Sequence, residues 1–320
     1  MKVNEVAVGI DIGGTFTKFG LITRAGQVLW KDSIPTEANR PAELLFDRIF
    51  AVLNQFFSAS PEKYRIRGVG IGAPNANHYT GRIENPPNLS WKSVDLVELV
   101  HQHEAQLLVD VTNDANAAAL GEMIFGNARN IKDFILLNLG TGLGSGIIAN
   151  GALIYGHDGF AGEMGHLTVV RNGRPCGCGR RGCLETYVSA PGIVRTVREL
   201  LAASKRESVL GKIPTEKMES IDIYQAALIG DAIALEAFEV TGRILGETLS
   251  DAVAYLSPAA IFLSGGLAEA GDLIFKPAKA HMEKNLLPVF QNKVKILPSG
   301  LPQGEVALLG AAALIWHKLT

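Results

Sequence analysis

Cysteine is nearly missing from this 320-residue chain: there are three, and all lie between positions 176 and 183. An odd, confined set excludes a secreted disulfide scaffold, which needs more cysteines, paired and spread along the chain. An excess of one charge is missing too. Thirty basic against 32 acidic residues leave a formal net charge of −2. That excludes a protein that grips nucleic acid by bulk electrostatics, though not a local basic patch. No apolar run approaches the roughly 18 residues of a membrane helix; the longest, LLGAAALIW, covers 308–316. The opening MKVNEVAVGIDIGG reaches Asp11 before the apolar part of a signal peptide could form. The expectation is a soluble, cytoplasmic protein with neither nucleic acid nor membrane as a partner. Low-complexity segments and long linkers are absent. Two familiar phosphate signatures also fail. No Gly-Lys-Ser/Thr follows a Gly-rich loop, and GxGxxG breaks at Ser145 counting from Gly140 and at Ile147 counting from Gly142.

What is present is a core and a great deal of glycine. Hydrophobic residues make up 47% of the chain, and the 35 glycines sit in short clusters, which points to loops built from backbone. The segments VAVGI (6–10), FTKFGLI (16–22) and GQVLWKDSI (26–34) read as strands, with a glycine turn, DIGGT, between the first two. PAELLFDRIFAVLNQFFSAS (41–60) has helical periodicity, with Pro41 in a first-turn position. RIRGVGIGAP (65–74) and AQLLVDV (105–111) read as strands, SVDLVELVHQH (93–103) and ANAAALGEMIFG (115–126) as helices. Alternation of this kind predicts an α/β fold. ILLNLGTGLGSGII (135–148) then repeats the pattern of VGIDIGGTFTKFGL (8–21), placing Asn138 on Asp11 and Gly140 on Gly13. The repeat predicts two related domains, each with a Gly-rich hairpin; two ordinary hairpins are the alternative. Helices are expected over 191–206 and 231–257, a strand and glycine turn over 259–271, and a flexible loop over 204–220.

Three places carry candidate chemistry. In DIGGT, small residues let backbone N–H groups approach an anion, Thr15 and Thr17 add hydroxyls, and Asp11 adds a carboxylate. That set fits a metal-bound polyphosphate, and GTGLGSG offers a second cradle. In VTNDANAAALGE, Asp114 stands between a strand and an Ala-rich helix, as an N-cap, as a general base, or as both. Asn113 beside it could hold a neighbouring hydroxyl. In GHLTVVRNGRPCGCGRRGCLE (165–185), Cys176, Cys178 and Cys183 with His166 are four ligands of the kinds zinc prefers, in a closed structural set. Reduced thiols, or one disulfide with a spare, are the alternatives. Arg180 and Arg181 could offset thiolate charge or simply be solvated. A knot there would aim Glu185, and Glu163 lies three residues before His166.

DIGGTFTK, TNDANAAALGE, LGTGLGSGII, GFAGEMGH and CGCGRRGCLE, in this order, resemble the ROK (repressor, open reading frame, kinase) family of sugar kinases and regulators. FLSGGL and GEVALLGAAAL fit its later segments, so the resemblance runs essentially end to end. It implies the actin-like ATPase (ribonuclease H-like) fold: two α/β domains with a cleft between them. The small domain would be 1–115 plus 305–320, and the large one 116–304 with a zinc-binding segment at 166–183. It implies ATP-dependent phosphorylation of a hexose 6-hydroxyl, with ATP, Mg2+ and structural Zn2+ and a homodimeric state. Glucose leads the sugars; N-acetylmannosamine, N-acetylglucosamine and fructose are the alternatives within the family. The rivals from another class are a transcriptional repressor, whose helix-turn-helix would have to precede the motif at residue 11, and a non-catalytic sugar sensor.

Carried over residue by residue, the resemblance makes Asp114 the catalytic base. Asn75, Asn88, Asn113, Asp114, Glu163, His166 and Glu185 become sugar-binding residues. Asp11, Gly13, Gly14, Thr15 and Lys18 form the first phosphate segment, and Gly140, Thr141 and Gly142 the second. Ser264, Gly265 and Gly266 lie near the adenosine. His166, Cys176, Cys178 and Cys183 hold zinc, with the second ring nitrogen of His166 facing the sugar. One departure stands out. Asn75 follows Pro74 where many members have glycine, so an added side chain is expected to reshape preference at one hydroxyl or acetyl group.

Overall fold

A computed structural model describes residues 4–59, 63–204, 206–214 and 216–320. In these it forms two compact units. The first gathers residues 1–131, 146–162 and 300–320, the second 132–145 and 163–299.

Among the described residues, twelve strands and eight α-helices follow in order. They are β1 (Asn4–Ile12), β2 (Phe16–Thr23), β3 (Val28–Pro35), α1 (Ala42–Ser58), β4 (Tyr64–Gly72), β5 (Arg82–Glu84), β6 (Ser93–Asp95), α2 (Leu96–His103), β7 (Val109–Thr112) and α3 (Asp114–Ile124). Next come β8 (Phe134–Leu139), β9 (Leu143–Ala149), β10 (Ala152–Leu153), α4 (Ala190–Ala203), α5 (Ser220–Leu228), α6 (Ala232–Leu256), β11 (Ala260–Ser264), α7 (Asp272–Asn285), β12 (Lys295–Pro298) and α8 (Val306–Lys318).

The predicted repeat has a counterpart in sheet topology. One sheet runs β3-β2-β1-β4-β7 and the other β10-β9-β8-β11-β12. In the first, β1 is antiparallel to β2 and parallel to β4, which is parallel to β7. In the second, β8 is parallel to β11 and β11 to β12, while β10 is antiparallel to β9. The register agrees with the sequence alignment: Asp11 pairs across to Gly72, and Asn138 to Ser264. In each half, the last parallel strand leads to an Ala-rich helix, α3 after β7 and α8 after β12.

Helix α1 buries Ala42, Leu45, Phe46, Ile49, Phe50 and Leu53, the i, i+3, i+4, i+7 stripe of an amphipathic helix lying on a sheet. Pro41 is its N-cap, one position before the expected first turn. Ser60, the end of the expected helix, lies outside the described residues. Helix α8 is different. Leu308 to Trp316 are all buried, as in a helix covered on every side. A Cβ on Gly70 of β4 would lie 1.8 Å from Ala311 O, and one on Gly310 would lie 2.6 Å from the Ala117 carbonyl of α3. Small residues thus let α8 seat between sheet and α3 at backbone distance.

Several expectations shift. Ser93–Asp95 form β6, paired with β5, rather than the start of a helix; Asp95 then caps α2 by accepting from Glu98 N. The stretch expected to be a flexible loop holds a 3-10 turn at Val209–Lys212 and buries Leu210 and Met218, and α5 begins at Ser220. Its residues Lys205 and Thr215 lie outside the described set. Helices α5 and α7 had no sequence expectation. Pro277 inside α7, which reads as a helix breaker, seats against Gly242 of α6.

Candidate functional site

In the first unit the β1–β2 hairpin turns through Gly13 and Gly14. Gly13 N donates to Phe16 O at 3.1 Å. Thr36 Oγ1 donates to Gly13 O at 2.6 Å and also meets the buried Thr17 Oγ1 at 2.9 Å, so two hydroxyls brace the turn from beneath. Thr17, a candidate phosphate hydroxyl from sequence, is therefore committed to structure, whereas Thr15 is exposed. Among the described residues, the N–H groups of Gly14 and Thr15 make no backbone hydrogen bond, which leaves them to meet an anion. A Cβ on Gly14 would lie 2.9 Å from Asn88 Cβ and 3.1 Å from Asn88 O; Asn88 thus backs the turn.

At the start of α3 the division of labour differs from the sequence expectation. The N-cap is Asn113, whose Oδ1 accepts from Asn116 N at 2.7 Å, and Asp114 is the first helical residue. Asn113 is buried, and its carbonyl oxygen is spent on the cap. Asp114 accepts only locally among the bonds described, from Ala115 N at 2.9 Å, and its surface is open to solvent. Its carboxyl is solvent-accessible yet crowded by protein, and that desolvation raises its pKa, against the lowering effect of the Ala115 and Asp114 N–H groups. Burial raises the Asp11 carboxyl to about 6, the Asp114 charge adds to the rise, and Lys18 across the hairpin opposes it. Two carboxylates that raise proton affinity in this way favour a bound cation. Asp11, beside the free N–H groups, suits Mg2+ carried by a polyphosphate.

Asn75 does not present its side chain as expected. It adopts a left-handed conformation at φ 53°, one that Asn tolerates in place of Gly. Its Nδ2 donates to Glu84 O at 3.2 Å and to Asn85 O at 3.1 Å. The added side chain fastens a loop; its donor is spent there rather than on a ligand.

In the second unit the β8–β9 hairpin turns through Gly140, Thr141 and Gly142. Gly140 N donates to Gly142 O at 3.0 Å, and Gly140 O accepts from Ala190 N at 2.9 Å at the start of α4. A Cβ on Gly140 would meet nothing within 4 Å. Ser264 is buried, with Oγ donating to Leu137 O at 3.3 Å, so it holds strands together. Gly265 follows at φ 88°, and a Cβ on Gly266 would meet open space.

The cysteine segment folds into a knuckle. Thr168 pairs with Cys183 and Pro175 with Arg181, and Cys176 N donates to Arg180 O at 2.9 Å. The ligand atoms of His166, Cys176, Cys178 and Cys183 lie within 4.8 Å of one another. Two ligands about 2.3 Å from one ion at tetrahedral angles stand about 3.7 Å apart. Cys178 Sγ and Cys183 Sγ are 3.7 Å apart, as are Cys176 Sγ and His166 Nδ1. The donor set and its spacing fit zinc, and all three cysteines are free thiols. Nδ1 of His166 faces the cluster, leaving Nε2 for another partner. Arg180 and Arg181 are both exposed, and Arg180 donates to Thr168 Oγ1 at 3.0 Å.

Glu185 joins this knuckle to the second hairpin. Its Oε1 lies 3.0 Å from Cys176 Sγ and 3.8 Å from His166 Nδ1, and its Oε2 lies 3.4 Å from Leu143 N. Glu163 caps the short 3-10 turn Met164–His166, accepting from His166 N through its backbone oxygen at 3.1 Å. Gly165 of that turn lies against Leu143, where a Cβ would come within 2.1 Å of the carbonyl oxygen. Sequence reasoning passed over Arg174. It is buried, and its guanidinium donates to both oxygens of Glu199, at 2.8 and 2.6 Å, and to Thr186 O at 2.7 Å. It also stacks over the Tyr187 ring, 4.3 Å from the centroid. It ties the base of the knuckle to α4 (Ala190–Ala203). Its partners lie up to 25 positions away, so no local pattern marked it.

Comparison with known proteins gives a consistent set. A model of the ROK family matches residues 7–318. The chain is similar to the glucokinase of Halalkalibacterium halodurans, 38% identical over 88% of this chain and 86% of that one. It is similar to the xylose repressor of Bacillus spizizenii, 29% identical over 98% of this chain and 78% of that one. Among solved structures, a ROK family glucokinase from Streptomyces griseus, in complex with glucose and AMPPNP, superposes with a TM-score of 0.79. It is 33% identical and covers 97% of this chain and 98% of that one.

Proposed function

This chain belongs to the ROK family and has its actin-like ATPase fold, and we propose from that premise that it is an ATP-dependent hexose kinase acting on a sugar 6-hydroxyl, with glucose as the substrate. The observation that carries the reading is Asp114. Capping falls to Asn113, so a solvent-open carboxylate of raised proton affinity is left beside a glycine hairpin that has unspent N–H groups.

Asp114 accepts the hydroxyl proton as that oxygen attacks the γ-phosphorus of ATP. Phosphoryl transfer asks for positioning and charge neutralisation more than for covalent help. Gly14 and Thr15, with their unspent N–H groups, meet phosphate oxygens; Thr141 and Gly142 form the second candidate phosphate turn, as the family resemblance implies. When bound, Mg2+ neutralises the polyphosphate, and Asp11 is the residue to hold it. His166, Cys176, Cys178 and Cys183 would hold a structural zinc, which would steady the turn that carries Glu163 and His166 and the knuckle that precedes Glu185. Glu163, His166 Nε2 and the Asn113 amide then bind sugar hydroxyls. The protein is also proposed to be a cytoplasmic homodimer, as the family resemblance implies. Among the described residues, no helix is long and apolar enough to cross a membrane.

The test is ADP release with MgATP on glucose, N-acetylmannosamine, N-acetylglucosamine, mannose and fructose, with Asp114→Asn as control. Turnover of glucose that is lost in the variant supports the proposal. A folded, zinc-loaded protein that turns over none of these sugars overturns it and favours the regulatory reading that similarity to a xylose repressor keeps open.

A further inference from the structure

We propose that Asn75 is a positioning residue for the phosphate hairpin, acting through the loop Asn85–Trp91 and Asn88, and that it is not a sugar-selecting residue. The inference rests on the kinase reading only for its kinetic arm.

The loop is pinned at both ends and presents Asn88 between. At its far end, Ser90 N donates to Ala38 O at 2.9 Å and Trp91 Nε1 to Arg40 O at 2.8 Å. Leu89 and Trp91 are buried there. At its near end, Asn85 N donates to Lys92 O at 2.7 Å. Glu84, just before the loop, pairs with Ser93 in the β5–β6 ladder, and Asn75 adds further ties: its Nδ2 donates to Glu84 O and Asn85 O, and its carbonyl accepts from Glu84 N at 3.3 Å. Asn85 itself sits at φ 44°, and Pro86 and Pro87 follow. A left-handed residue before two rigid prolines makes a stiff arm, so a tie at Asn85 is felt three residues on. There Asn88 lies against Gly14, at a distance where no Cβ would fit on the glycine. Gly14 carries one of the two unspent N–H groups of the hairpin. Asn75 thus reaches a phosphate-binding atom through one loop, while its own amide donor is consumed.

Two variants separate this from a direct sugar contact. Asn75→Gly keeps the left-handed backbone and removes both amide bonds. Asn75→Asp keeps the size but sets a carboxylate against two carbonyl oxygens, so it should be worse than Gly. Two hydrogen bonds of ordinary strength predict a loss in kcat/KM of roughly 5- to 30-fold for Asn75→Gly. That loss should be the same factor for every sugar the wild type accepts. Combined with Asn88→Ala, Asn75→Gly should add little beyond Asn88→Ala alone. A changed ranking of sugars, or losses that multiply, would overturn the proposal. A second arm needs no activity: hydrogen exchange of the ligand-free protein should quicken at least about tenfold at Asn85 and Leu89 N–H in Asn75→Gly, while α3 stays protected. Unchanged exchange at those amides overturns the proposal even if the protein proves not to be a kinase.

Discussion

The two glycine hairpins share a topology and differ in nearly everything the chemistry needs. The β1–β2 turn carries Asp11 at its entry, is braced from below by Thr36 and Thr17, and is backed by Asn88. The β8–β9 turn carries neutral Asn138 at the matching register position and stands open at Gly140. It is held from one side by Glu185. One turn is therefore charged and braced, and the other neutral and tied to the Cys3His knuckle. The charged turn can bring a cation with its anion. The neutral turn can offer only N–H and hydroxyl groups, and it is held by Ala190 N at the start of α4 and by Glu185 beside the knuckle.

The sharpest break in that asymmetry is at its acidic side. Asp114→Asn should lower turnover about 10²- to 10⁴-fold, the usual worth of a general base, with sugar affinity by calorimetry changed little. Activity should rise with pH as the raised carboxyl loses its proton, and wild-type turnover should fall on acidification from a higher pH than an ordinary carboxylate allows. A pH profile that stays flat down to pH 4 would remove Asp114 from the role.

Zinc removal probes the other side. Stripping the metal, or Cys183→Ser, should cost at least about tenfold in turnover, because a structural site stabilises the segment that folds around it. Hydrogen exchange should quicken at Leu143 and the knuckle but not at Gly13. Equal loosening of both hairpins would mean that the asymmetry read from Glu185 is wrong.

Asp11 links function to stability. Its folded pKa, about 6, lies above the ordinary carboxyl value of 3.8. The folded state therefore binds the proton more tightly, and its stability declines as pH rises from about 4 to about 6 and stays lowered above that. Asp11→Asn should stabilise the Mg2+-free protein at pH 7 by about 1–2 kcal/mol, discounted for its partial exposure, and change little at pH 3.5. Thermal melts at the two pH values check this, and the same variant should lose turnover with MgATP.

Much of this was legible in the sequence because local chemistry wrote it there. The hairpins, the strand–helix alternation and the Cys3His set all rest on short spacings. What was not legible depended on partners distant in sequence. Capping falls to Asn113 because its side chain, one position earlier, reaches Asn116 N, and either residue type suits that place. Asn75 was expected to face a ligand, yet carbonyls nine and ten positions away captured its amide. Arg174 carried no local signal, because Glu199 and the Tyr187 ring that hold it lie 25 and 13 positions away. Helix α7 was hidden by Pro277, which only the matching Gly242 explains.

A final prediction bears most directly on the two hairpins. A methyl group added to each turn by Gly13→Ala and Gly140→Ala is the same chemical change in matching positions. At Gly13 the Cβ would lie 2.8 Å from Phe16 O, the acceptor that closes the turn. The hydrogen bond must lengthen or the strand shift, at about 1–3 kcal/mol, the usual cost of overpacking. At Gly140 nothing lies within 4 Å and the backbone is not left-handed, so stability should stay within about 0.5 kcal/mol. Denaturant midpoints measure both. If Gly140→Ala nevertheless raises the KM for ATP while leaving the midpoint alone, the open space above Gly140 is where a phosphate sits. If both variants are silent in stability, the Phe16 carbonyl is free to move, and the first hairpin is less rigid than its brace suggests.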